Sequence, residues 1–358
     1  MKNLIKIIIL SLLVVSCTKN STLPPSKVTI GGGVLIANEG NYKAGNGSLS
    51  YYSYDSSKIY NDLFSSVNNR PLGDIPYSIS IKGTKAYIVV NNSGKIEVVD
   101  QSSLVSETTI TGLISPRIMA MINDNKAYVS SLYSDSLAII DLMSSSISGY
   151  INLGMSSEAI ALIGNKAYIS NWSGGNQVMV VNTSSDKVID SIKVGSEPES
   201  MVIDRLGRLW VLCDGGWSQQ YFPELDLIDT NSDEVLKSFV FPTKSESPSC
   251  LKIDGLGQTL YFLDNGVRQM EITAQYLPAG SFIAESGGHY YKIAINAVNS
   301  DIFISDAGDY VQPGYLIIYK NTPEFVSKSR TGIIPGAMCF TLKINSLSSS
   351  VPLNNVAR

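Results

Sequence analysis

Aromatic, amide and charged side chains recur at one place in a repeated sequence pattern, at the ends of short apolar runs or in insertions after them. Tyr and Trp combine a large contact area with a polar tip, and the polar residues form directional hydrogen bonds. Such a set suits capture of a large flat or polyhydroxylated ligand. The predicted ligand-binding residues are Asn41, Tyr42, Tyr77, Arg117, Tyr133, Trp172, Glu199, Asp214, Trp217, Tyr221, Asp306 and Tyr310.

These candidates differ in how specifically they indicate a ligand. Asn and Asp at strand ends also form turns with their own backbone, which explains any single one of them locally. Tyr42, Trp217, Tyr221 and Tyr310 lie in insertions, where neither a turn nor a core requires an aromatic ring. Long loops on a compact repeat are where binding residues concentrate. The four aromatic residues are therefore the stronger candidates.

Catalytic patterns are scarce in this chain. It has one histidine, His289, beside Gly287 and Gly288, and a lone histidine is more often a surface or packing residue. There is no histidine cluster with metal-ligand spacing, no Gly-x-Ser-x-Gly elbow and no phosphate-binding glycine loop. The sequence therefore predicts a protein that is not an enzyme.

A metal-dependent alternative depends on five carboxylates at strand ends. Glu39, Glu158, Glu199, Asp214 and Asp306 would converge on a central channel if the repeats form a ring, and their oxygens could hold Ca²⁺. A metal-dependent hydrolase or lyase would follow. The repeat accounts for these residues without a metal, so we predict neither a metal nor another cofactor.

The residues are positioned by a repeat that is clearest at 157–194. Four short apolar runs, rich in Val, Ile and Tyr, alternate there with turns of Gly, Asn, Asp and Ser, which is typical of strands. The inner runs are nearly continuous in apolar residues, so both of their faces should be buried. A four-stranded sheet covered on both faces by copies of itself is a propeller blade.

The second strand of each unit marks the repeat seven times. The spacing between successive markers is 40 to 52 residues, as expected for a propeller with four strands per blade. The markers begin at Val34, Ala86, Ala127, Ala167, Leu209, Leu260 and Ile302. The sequence therefore predicts an all-β, seven-bladed β-propeller, with residues 58–66 as a third strand and no helix.

The repeat is incomplete at both ends, and the strand that is missing at one end is present at the other. A proline precedes most first strands, but no strands follow the last one, Pro335, and no first strand precedes Val34. Residues 336–342 are therefore expected to pair with the blade begun at Val34 and to close the ring of antiparallel sheets. The predicted propeller spans 33–342, and the Ser-rich residues 343–358 form a tail.

The amino-terminal residues have a different character. Residues 1–17 form a predicted signal peptide: Lys2 and Lys6 flank the start of an apolar run, residues 4–15, that is too short to span a bilayer, and the segment ends at Cys17 in a sequence that resembles a bacterial lipobox. An ordinary signal peptide with a chance cysteine is the alternative. Lipidation of Cys17, with residues 18–32 as a tether, would anchor the propeller to a membrane outside the cytoplasm.

Charge and cysteine content narrow the remaining possibilities. The net charge is −4 and no basic stripe is present, so nucleic acid is not a predicted partner. Cys213, Cys250 and Cys339 fall within or at the ends of predicted strands. We expect small buried apolar residues rather than a disulfide at these positions.

Several motifs resemble a known family. Four motifs are similar to those of YncE-like propeller lipoproteins of Bacteroidetes. They are Asn38-Glu-Gly-Asn-Tyr, Gly45-Asn-Gly-Ser-Leu-Ser-Tyr-Tyr, the repeated Lys-Ala-Tyr-[Ile/Val] and Pro335-Gly-Ala-Met-Cys-Phe. This group includes surface lipoproteins that capture vitamin B12 and related corrinoids over a TonB-dependent transporter. The resemblance, over about residues 34–340, implies a corrinoid or another small nutrient as ligand and such a transporter as partner.

The same resemblance implies an outer-membrane location, lipid-anchored and facing the cell exterior. The residues after Cys17 lack the acidic side chains often seen in surface-export signals of these bacteria, so exposure to the periplasm stays open. Two further functions stay open as well. One is the metal-dependent hydrolase or lyase, and the other is an adhesion or scaffold propeller that binds protein or glycan.

Overall fold

The computed structural model describes residues 28–342, and these form seven four-stranded antiparallel sheets arranged as a β-propeller. The predicted fold class is confirmed. The predicted lipidation of Cys17 and the predicted carboxyl-terminal tail lie outside the described residues.

The strands follow the chain from blade to blade. Blade 1 contains β1 (Gly33–Asn38), β2 (Ser48–Ser53) and β3 (Lys58–Tyr60). Blade 2 contains β4 (Pro76–Lys82), β5 (Lys85–Val90), β6 (Lys95–Asp100) and β7 (Ser106–Thr111). Blade 3 contains β8 (Pro116–Met121), β9 (Lys126–Ser131), β10 (Ser136–Asp141) and β11 (Ser146–Asn152). Blade 4 contains β12 (Ile160–Ile163), β13 (Lys166–Ser170), β14 (Gln177–Asn182) and β15 (Lys187–Lys193).

The remaining blades repeat this order. Blade 5 contains β16 (Pro198–Ile203), β17 (Leu209–Cys213), β18 (Glu224–Asp229) and β19 (Glu234–Val240). Blade 6 contains β20 (Ser249–Ile253), β21 (Thr259–Leu263), β22 (Gly266–Glu271) and β23 (Ile283–Ala284). Blade 7 contains β24 (Tyr290–Ile295), β25 (Ile302–Asp306), β26 (Pro313–Tyr319) and β27 (Phe325–Ile333). The chain then returns to blade 1 as β28 (Pro335–Thr341).

The core lies between blades, as strand β17 illustrates. Its five residues are all buried. Trp210 and Leu212 pack with the neighbouring strands of blade 6, whereas Leu209, Val211 and Cys213 pack with those of blade 4. Because side chains alternate between the two faces of a strand, a strand between two other blades needs apolar residues at every position.

The ring closes through strand β28, as predicted. This strand pairs antiparallel with β1, with Leu35 opposite Cys339 and Val34 opposite Phe340. Strand β1 therefore has a partner on both sides, β28 and β2. The pairing joins the two ends of the described chain and gives blade 1 its fourth strand.

Blade 1 differs from the prediction in its outer part. The expected strand over residues 58–66 is only three residues long, and a short helix, α1 (Leu63–Asn68), follows it. Leu63 and Phe64 of this helix are buried in the core between blades 1 and 2. The prediction of no helix was therefore wrong. A 3₁₀ turn at Asn91–Ser93 is a second short helical segment.

Two further findings concern the cysteines and the helices. The three cysteines in the described part of the chain are free, with Cys213 and Cys250 buried and Cys339 partly buried. Within residues 28–342, no helix is both long and apolar enough to cross a membrane.

Candidate functional site

The antiparallel order of each blade places two sets of loops on one face of the disc. The loop that enters each inner strand and the loop that joins the second strand to the third both open there. We call this side the upper face. Contacts between the loops agree with the topology: Asn41 Nδ2 donates to Tyr310 O at 3.2 Å, and Trp172 Nε1 donates to Asp214 Oδ2 at 2.8 Å.

Most inner strands have an irregularity in their pairing near the start. A β-bulge leaves one residue unpaired and turns its side chain out of the regular alternation. The pairing register shifts in six inner strands, between Pro76 and Ser78, Pro116 and Met119, Pro198 and Ser200, Ser249 and Lys252, Tyr290 and Lys292, and Pro335 and Met338. The residues directly after the marker prolines of blades 2, 3 and 5 are Tyr77, Arg117 and Glu199.

Serines on the second strands satisfy the backbone groups that the irregularities leave unpaired. Ile118 N donates to Ser130 Oγ at 3.0 Å, and Lys292 N donates to Ser305 Oγ at 2.9 Å. In blade 4 the corresponding bond joins Ala159 N to Ser170 Oγ at 3.0 Å. An unmade backbone hydrogen bond would be costly inside the ring, so these serines stabilise the local geometry.

The channel at the upper face is filled by a central cluster, Glu39, Tyr77, Arg117, Glu158, Glu199, Tyr291 and Lys292. Its strongest contact is bidentate: Arg117 Nε lies 2.6 Å from Glu158 Oε2, and Nη2 lies 3.0 Å from Oε1. Tyr77 OH donates to Glu158 Oε1 at 2.6 Å. The centre of the guanidinium lies 3.5 Å from the Tyr77 ring centroid, within the range of a cation–π contact.

The part of the cluster formed by Tyr77, Arg117 and Glu158 is buried. The side chains of Arg117 and Glu158 are 9% and 6% exposed. Burial opposes the charge of Arg117, but Tyr77 and Glu158 outweigh it and raise the Arg117 pKa above its ordinary value. Burial also raises the pKa of Tyr77 well above its ordinary value. The guanidinium is therefore charged and the phenol neutral at physiological pH.

The rest of the cluster, Glu39, Glu199, Tyr291 and Lys292, connects blades 1, 5 and 7 and contacts blade 6. Tyr291 OH donates to Glu39 Oε1 at 2.9 Å, and Lys292 Nζ lies 3.7 Å from Glu199 Oε1. Glu199 Oε2 also accepts a bond from Cys250 N at 2.9 Å. Although burial works against it, Lys292 lowers the pKa of Glu199. At Glu39 burial dominates and raises the carboxyl pKa.

Two predicted residues extend the central cluster toward blades 4 and 5. The Arg117 guanidinium lies 5.6 Å from the Trp172 ring centroid. Asp214 accepts the Trp172 indole bond at Oδ2 and the Gly216 amide at Oδ1. Burial raises the pKa of Asp214 to about 6. The structure thus brings together Tyr77, Arg117 and Glu199 in the cluster, with Trp172 and Asp214 beside it.

On the opposite side of the cluster, the rim is aromatic. Tyr310 packs edge-on against Tyr291, with the ring centroids 5.9 Å apart, and lies 5.8 Å from His289. Asn41 is tied to this group through the Tyr310 carbonyl. Asp306 is buried and accepts bonds from Gly308 N in its own loop, from His289 N in the loop that enters β24 and from Lys328 Nζ, so its carboxylate joins the two loops.

The other predicted residues stand away from the cluster on the upper-face loops. Tyr42, Tyr133 and Trp217 are 66%, 77% and 99% exposed. Tyr221 lines a separate crevice between blades 4 and 5. The predicted set is therefore divided between a buried floor, a rim of protruding aromatic rings and this crevice.

The channel carboxylates are held by protein donors. Glu39, Glu158 and Glu199 each contact a Tyr, Arg or Lys side chain, and Asp214 and Asp306 accept bonds from an indole, backbone amides and a lysine. Residues 28–342 contain no group of three or more His, Cys, Asp or Glu side chains that could hold a metal ion. In this part of the chain, the five carboxylates of the Ca²⁺ alternative therefore form no such group.

Lys292 was missing from the predicted set, and Lys252 also lies near the cluster. Burial lowers the pKa of Lys252. For Lys292, burial is outweighed by Cys250, Tyr77 and Glu199, which raise its pKa well above the ordinary value. Charged residues within otherwise apolar inner strands were the available signal, because such positions face a channel.

The family of the chain can now be given. A family model described as Domain of unknown function (DUF5074) matches residues 32–304. The chain belongs to the DUF5074 family. The matched region contains every residue of the central cluster but ends before β28, the strand that closes the ring. No curated protein matches this DUF5074 chain at a significant level.

Solved structures resemble this DUF5074 protein in fold. A quinonprotein alcohol dehydrogenase-like protein from Bacteroides thetaiotaomicron is 14% identical, with a TM-score of 0.66 over 87% of this chain and 78% of that chain. A putative 6-phosphogluconolactonase from Bacteroides uniformis is 10% identical, with a TM-score of 0.66 over 87% and 100%. Virginiamycin B lyase from Staphylococcus aureus is 14% identical, with a TM-score of 0.58 over 74% and 88%. At these identities the likeness shows the propeller fold alone.

Proposed function

We propose that this DUF5074 protein is a non-catalytic, cell-surface lipoprotein that captures a small nutrient on its upper face and passes it to a TonB-dependent outer-membrane transporter. The proposed nutrient is a corrinoid. The observation that carries the proposal is the exposure of Tyr42, Tyr133 and Trp217 on loops of the face that holds the central cluster. An indole that is 99% exposed stabilises no core, and such rings on loops are typical of binding surfaces.

The floor beneath these rings fits a broad ligand. The central cluster closes the channel with side chains that are already paired, so a ligand rests on a polar platform and does not enter a deep pocket. Corrinoids are large, flat macrocycles fringed with amides. Trp and Tyr rings can pack against the macrocycle, while polar groups such as Asn41 and Asp214 bond to the amides.

Binding without turnover agrees better with these contacts than catalysis does. Arg117, Glu158 and Glu199 are engaged by one another or by neighbouring side chains. A hydrolase or lyase of the metal-dependent kind needs several free oxygen ligands at one point. The carboxylates near the channel instead satisfy donors of the protein.

The membrane anchor and the transporter belong to the proposal through the sequence. Cys17 with its lipobox-like surroundings supports lipidation, and the resemblance to YncE-like lipoproteins supports corrinoid capture. Anchoring outside the cytoplasm would place the upper face where a nutrient can reach it.

Isothermal titration calorimetry with cobalamin and cobinamide tests the ligand. We expect saturable heat from at least one of them, and at least about 10-fold weaker binding in the triple variant Tyr42→Ala, Tyr133→Ala, Trp217→Ala. Tyr150→Ala is the matched control, because Tyr150 is 59% exposed but lies on the outer strand β11. The control variant should bind as the wild type does.

The outcomes separate the alternatives. Absence of heat from both corrinoids would refute the corrinoid proposal. Turnover of a lactone or glycan that EDTA abolishes would favour the hydrolase or lyase. Loss of attachment to immobilised glycan or protein in the triple variant, without any corrinoid binding, would favour the adhesion function.

A further inference from the structure

The side of the disc opposite the upper face has its own set of exposed apolar side chains. Two kinds of turn open there: the turn that joins the first strand of a blade to the second, and the turn that joins the third strand to the fourth. We call this side the lower face. Both ends of the described chain reach it, because β1 starts and β28 ends there, with Gly33 opposite Thr341.

The first described residues are fixed to the lower face. Ile30 N donates to Ser102 O at 2.8 Å in the turn between β6 and β7, and Tyr54 N, in the turn between β2 and β3, donates to Gly32 O at 3.1 Å. Ile30 is 3% exposed and packs in the core between blades 1 and 2. The chain that leads back toward Cys17 therefore leaves the disc from its lower side.

One turn position exposes an apolar side chain in three successive blades. The turns between the first and second strands of blades 5, 6 and 7 contain Leu206, Leu256 and Val298, which are 60%, 69% and 88% exposed. In the corresponding turns of blades 2, 3 and 4, the exposed residues are polar or glycine. Single apolar residues are common on protein surfaces, but a set at equivalent positions of adjacent blades indicates an interaction surface.

Contacts between these three turns make the apolar set continuous. Arg205 N donates to Gly257 O at 3.0 Å, which joins the turns of blades 5 and 6. A Cβ atom on Gly255 would lie 1.8 Å from Ala297 O, so the turns of blades 6 and 7 are also in direct contact. The three apolar side chains therefore belong to one edge of the lower face.

The backbone of these turns is held in place by side chains of the turns themselves. Asp204 Oδ1 accepts a bond from Leu206 N at 2.9 Å, and Asn296 Oδ1 accepts one from Val298 N at 2.9 Å. Asp204 is also paired with Arg208, with 2.7 Å between Oδ2 and Nη2. The carboxylate next to Leu206 is thus neutralised, and the apolar side chains need no rearrangement to meet a partner.

A lipid surface fits these side chains better than a protein partner does. A protein interface requires shape complementarity over a continuous area, whereas a fluid bilayer receives separate protruding side chains. The proposed anchor also brings lipid within reach of this face. Val28 follows Cys17 by 11 residues, and a fully extended chain of that length spans at most about 40 Å.

We propose that the lower face docks on the phospholipid bilayer that holds the lipid anchor, with Leu206, Leu256 and Val298 inserted at the level of the head groups. This inference rests on the anchor of the proposed function and adds an orientation, in which the upper face points away from the membrane toward the nutrient. Three side chains bury little apolar surface, so the docking is reversible and leaves the tethered disc free to turn toward a transporter.

Fluorescent probes on the two faces test the orientation. The full-length protein is expressed in bacteria, and the form retained in membranes is purified in detergent and reconstituted into phosphatidylcholine vesicles. A nitrobenzoxadiazole label is attached to Leu206→Cys on the lower face or to Ile114→Cys in the loop that enters β8 at the upper face. The two positions are matched, since they are 60% and 61% exposed. Protein without an added cysteine measures the labelling of the native cysteines.

We expect lipids with brominated acyl chains to quench the label at position 206 and to leave the label at position 114 unquenched. A double variant then tests whether the apolar side chains cause the contact. Leu256→Ser with Val298→Ser should lower the quenching at position 206 by at least about 3-fold. Tyr150→Ser with Ile189→Ser is the matched control, because these residues are 59% and 51% exposed but lie on the outer strands β11 and β15.

The docking is overturned if the labels at positions 206 and 114 are quenched equally, if neither is quenched, or if the two double variants give the same quenching. Protein that is absent from the membrane fraction would overturn the docking together with the proposed anchor. Protein that is retained in membranes with an unquenched label at position 206 would overturn the docking alone. Cobalamin calorimetry is independent of these outcomes, because the substitutions lie on the face opposite the central cluster.

Discussion

Removal of the negative charge at Glu158 should destabilise the propeller strongly. Glu158→Gln keeps the shape of the side chain but leaves the buried Arg117 guanidinium without its bidentate carboxylate. Breaking a buried ion pair by removing one partner typically costs about 3–5 kcal/mol. For a domain of this size, roughly 2 °C of melting temperature is lost per kcal/mol, so we expect a decrease of about 6–10 °C.

A double-mutant cycle isolates the pair from other effects. The free energy of unfolding would be measured by urea denaturation, followed by circular dichroism, for Arg117→Met, Glu158→Gln and the double variant. Because the double variant leaves no unpaired charge, it should be more stable than the sum of the single effects by about 2 kcal/mol or more.

An exposed ion pair on blade 2 is the matched control. Lys85 Nζ lies 3.0 Å from Glu107 Oε2, and each side chain is 38% exposed. The same cycle with Lys85→Met and Glu107→Gln should give a coupling of about 0–1 kcal/mol. The reasoning is refuted if Glu158→Gln costs less than about 1 kcal/mol, or if the two pairs give equal coupling.

Three further outcomes are expected. The Trp172 indole N–H resonance should titrate with an apparent pKa near that of Asp214, about 6, and Asp214→Asn should abolish the titration. Because the folded pKa lies above the unfolded value, Asp214 stabilises the fold at low pH, and this contribution should disappear from about pH 4 to 7 in the wild type only; a flat pH profile of the difference would contradict this. Gly255→Ala should lower the unfolding free energy by at least about 1–3 kcal/mol in urea denaturation, because the new Cβ would lie 1.8 Å from Ala297 O, and an unchanged midpoint would exclude the close approach. Deletion of residues 335–358 should remove β28 and yield aggregated protein in size-exclusion chromatography, since β1 loses a partner, whereas deletion of 343–358 should leave a monodisperse propeller; equal behaviour of both would argue against closure.

The propeller could be predicted because the second strand of each blade is an uninterrupted apolar run in the sequence. In β13, the residues Ala167, Tyr168 and Ile169 are all buried, and the same uninterrupted run recurs in each second strand. Burial on both faces is the condition of a strand between two other blades. The unmatched strand at Pro335 and the incomplete unit at Val34 then predicted the closing pair.

The short helix α1 could not be predicted from the same pattern. Leu63 and Phe64 form an apolar pair that fits a strand equally well. The helix is held by tertiary contacts, among them the bonds from Asn68 Nδ2 to Leu104 O and from Ser106 N to Asn68 Oδ1. Since these partners are some forty residues away, local propensity does not distinguish the two conformations.

The candidate site was predicted in part. The residues after the marker prolines, such as Tyr77, Arg117 and Glu199, were among the predicted ligand-binding residues and meet in the channel at the upper face. Their pairing was not predictable, because their partners lie about forty residues or more away in the chain, on other blades. Lys292 was missed, although a charged residue within an otherwise apolar inner strand indicates a position that faces the channel.

The number of blades, the four strands in each and the strand that closes the ring follow from the order of apolar runs and turns. Each apolar run indicates that both faces of its own strand are buried, so the strand can be predicted from neighbouring residues in the sequence. The contacts among charges are decided by the closed ring, in which Arg117 meets Glu158 across 41 residues and Tyr291 meets Glu39 across 252. Electrostatic pairing depends on distance in space, and only the assembled propeller sets that distance.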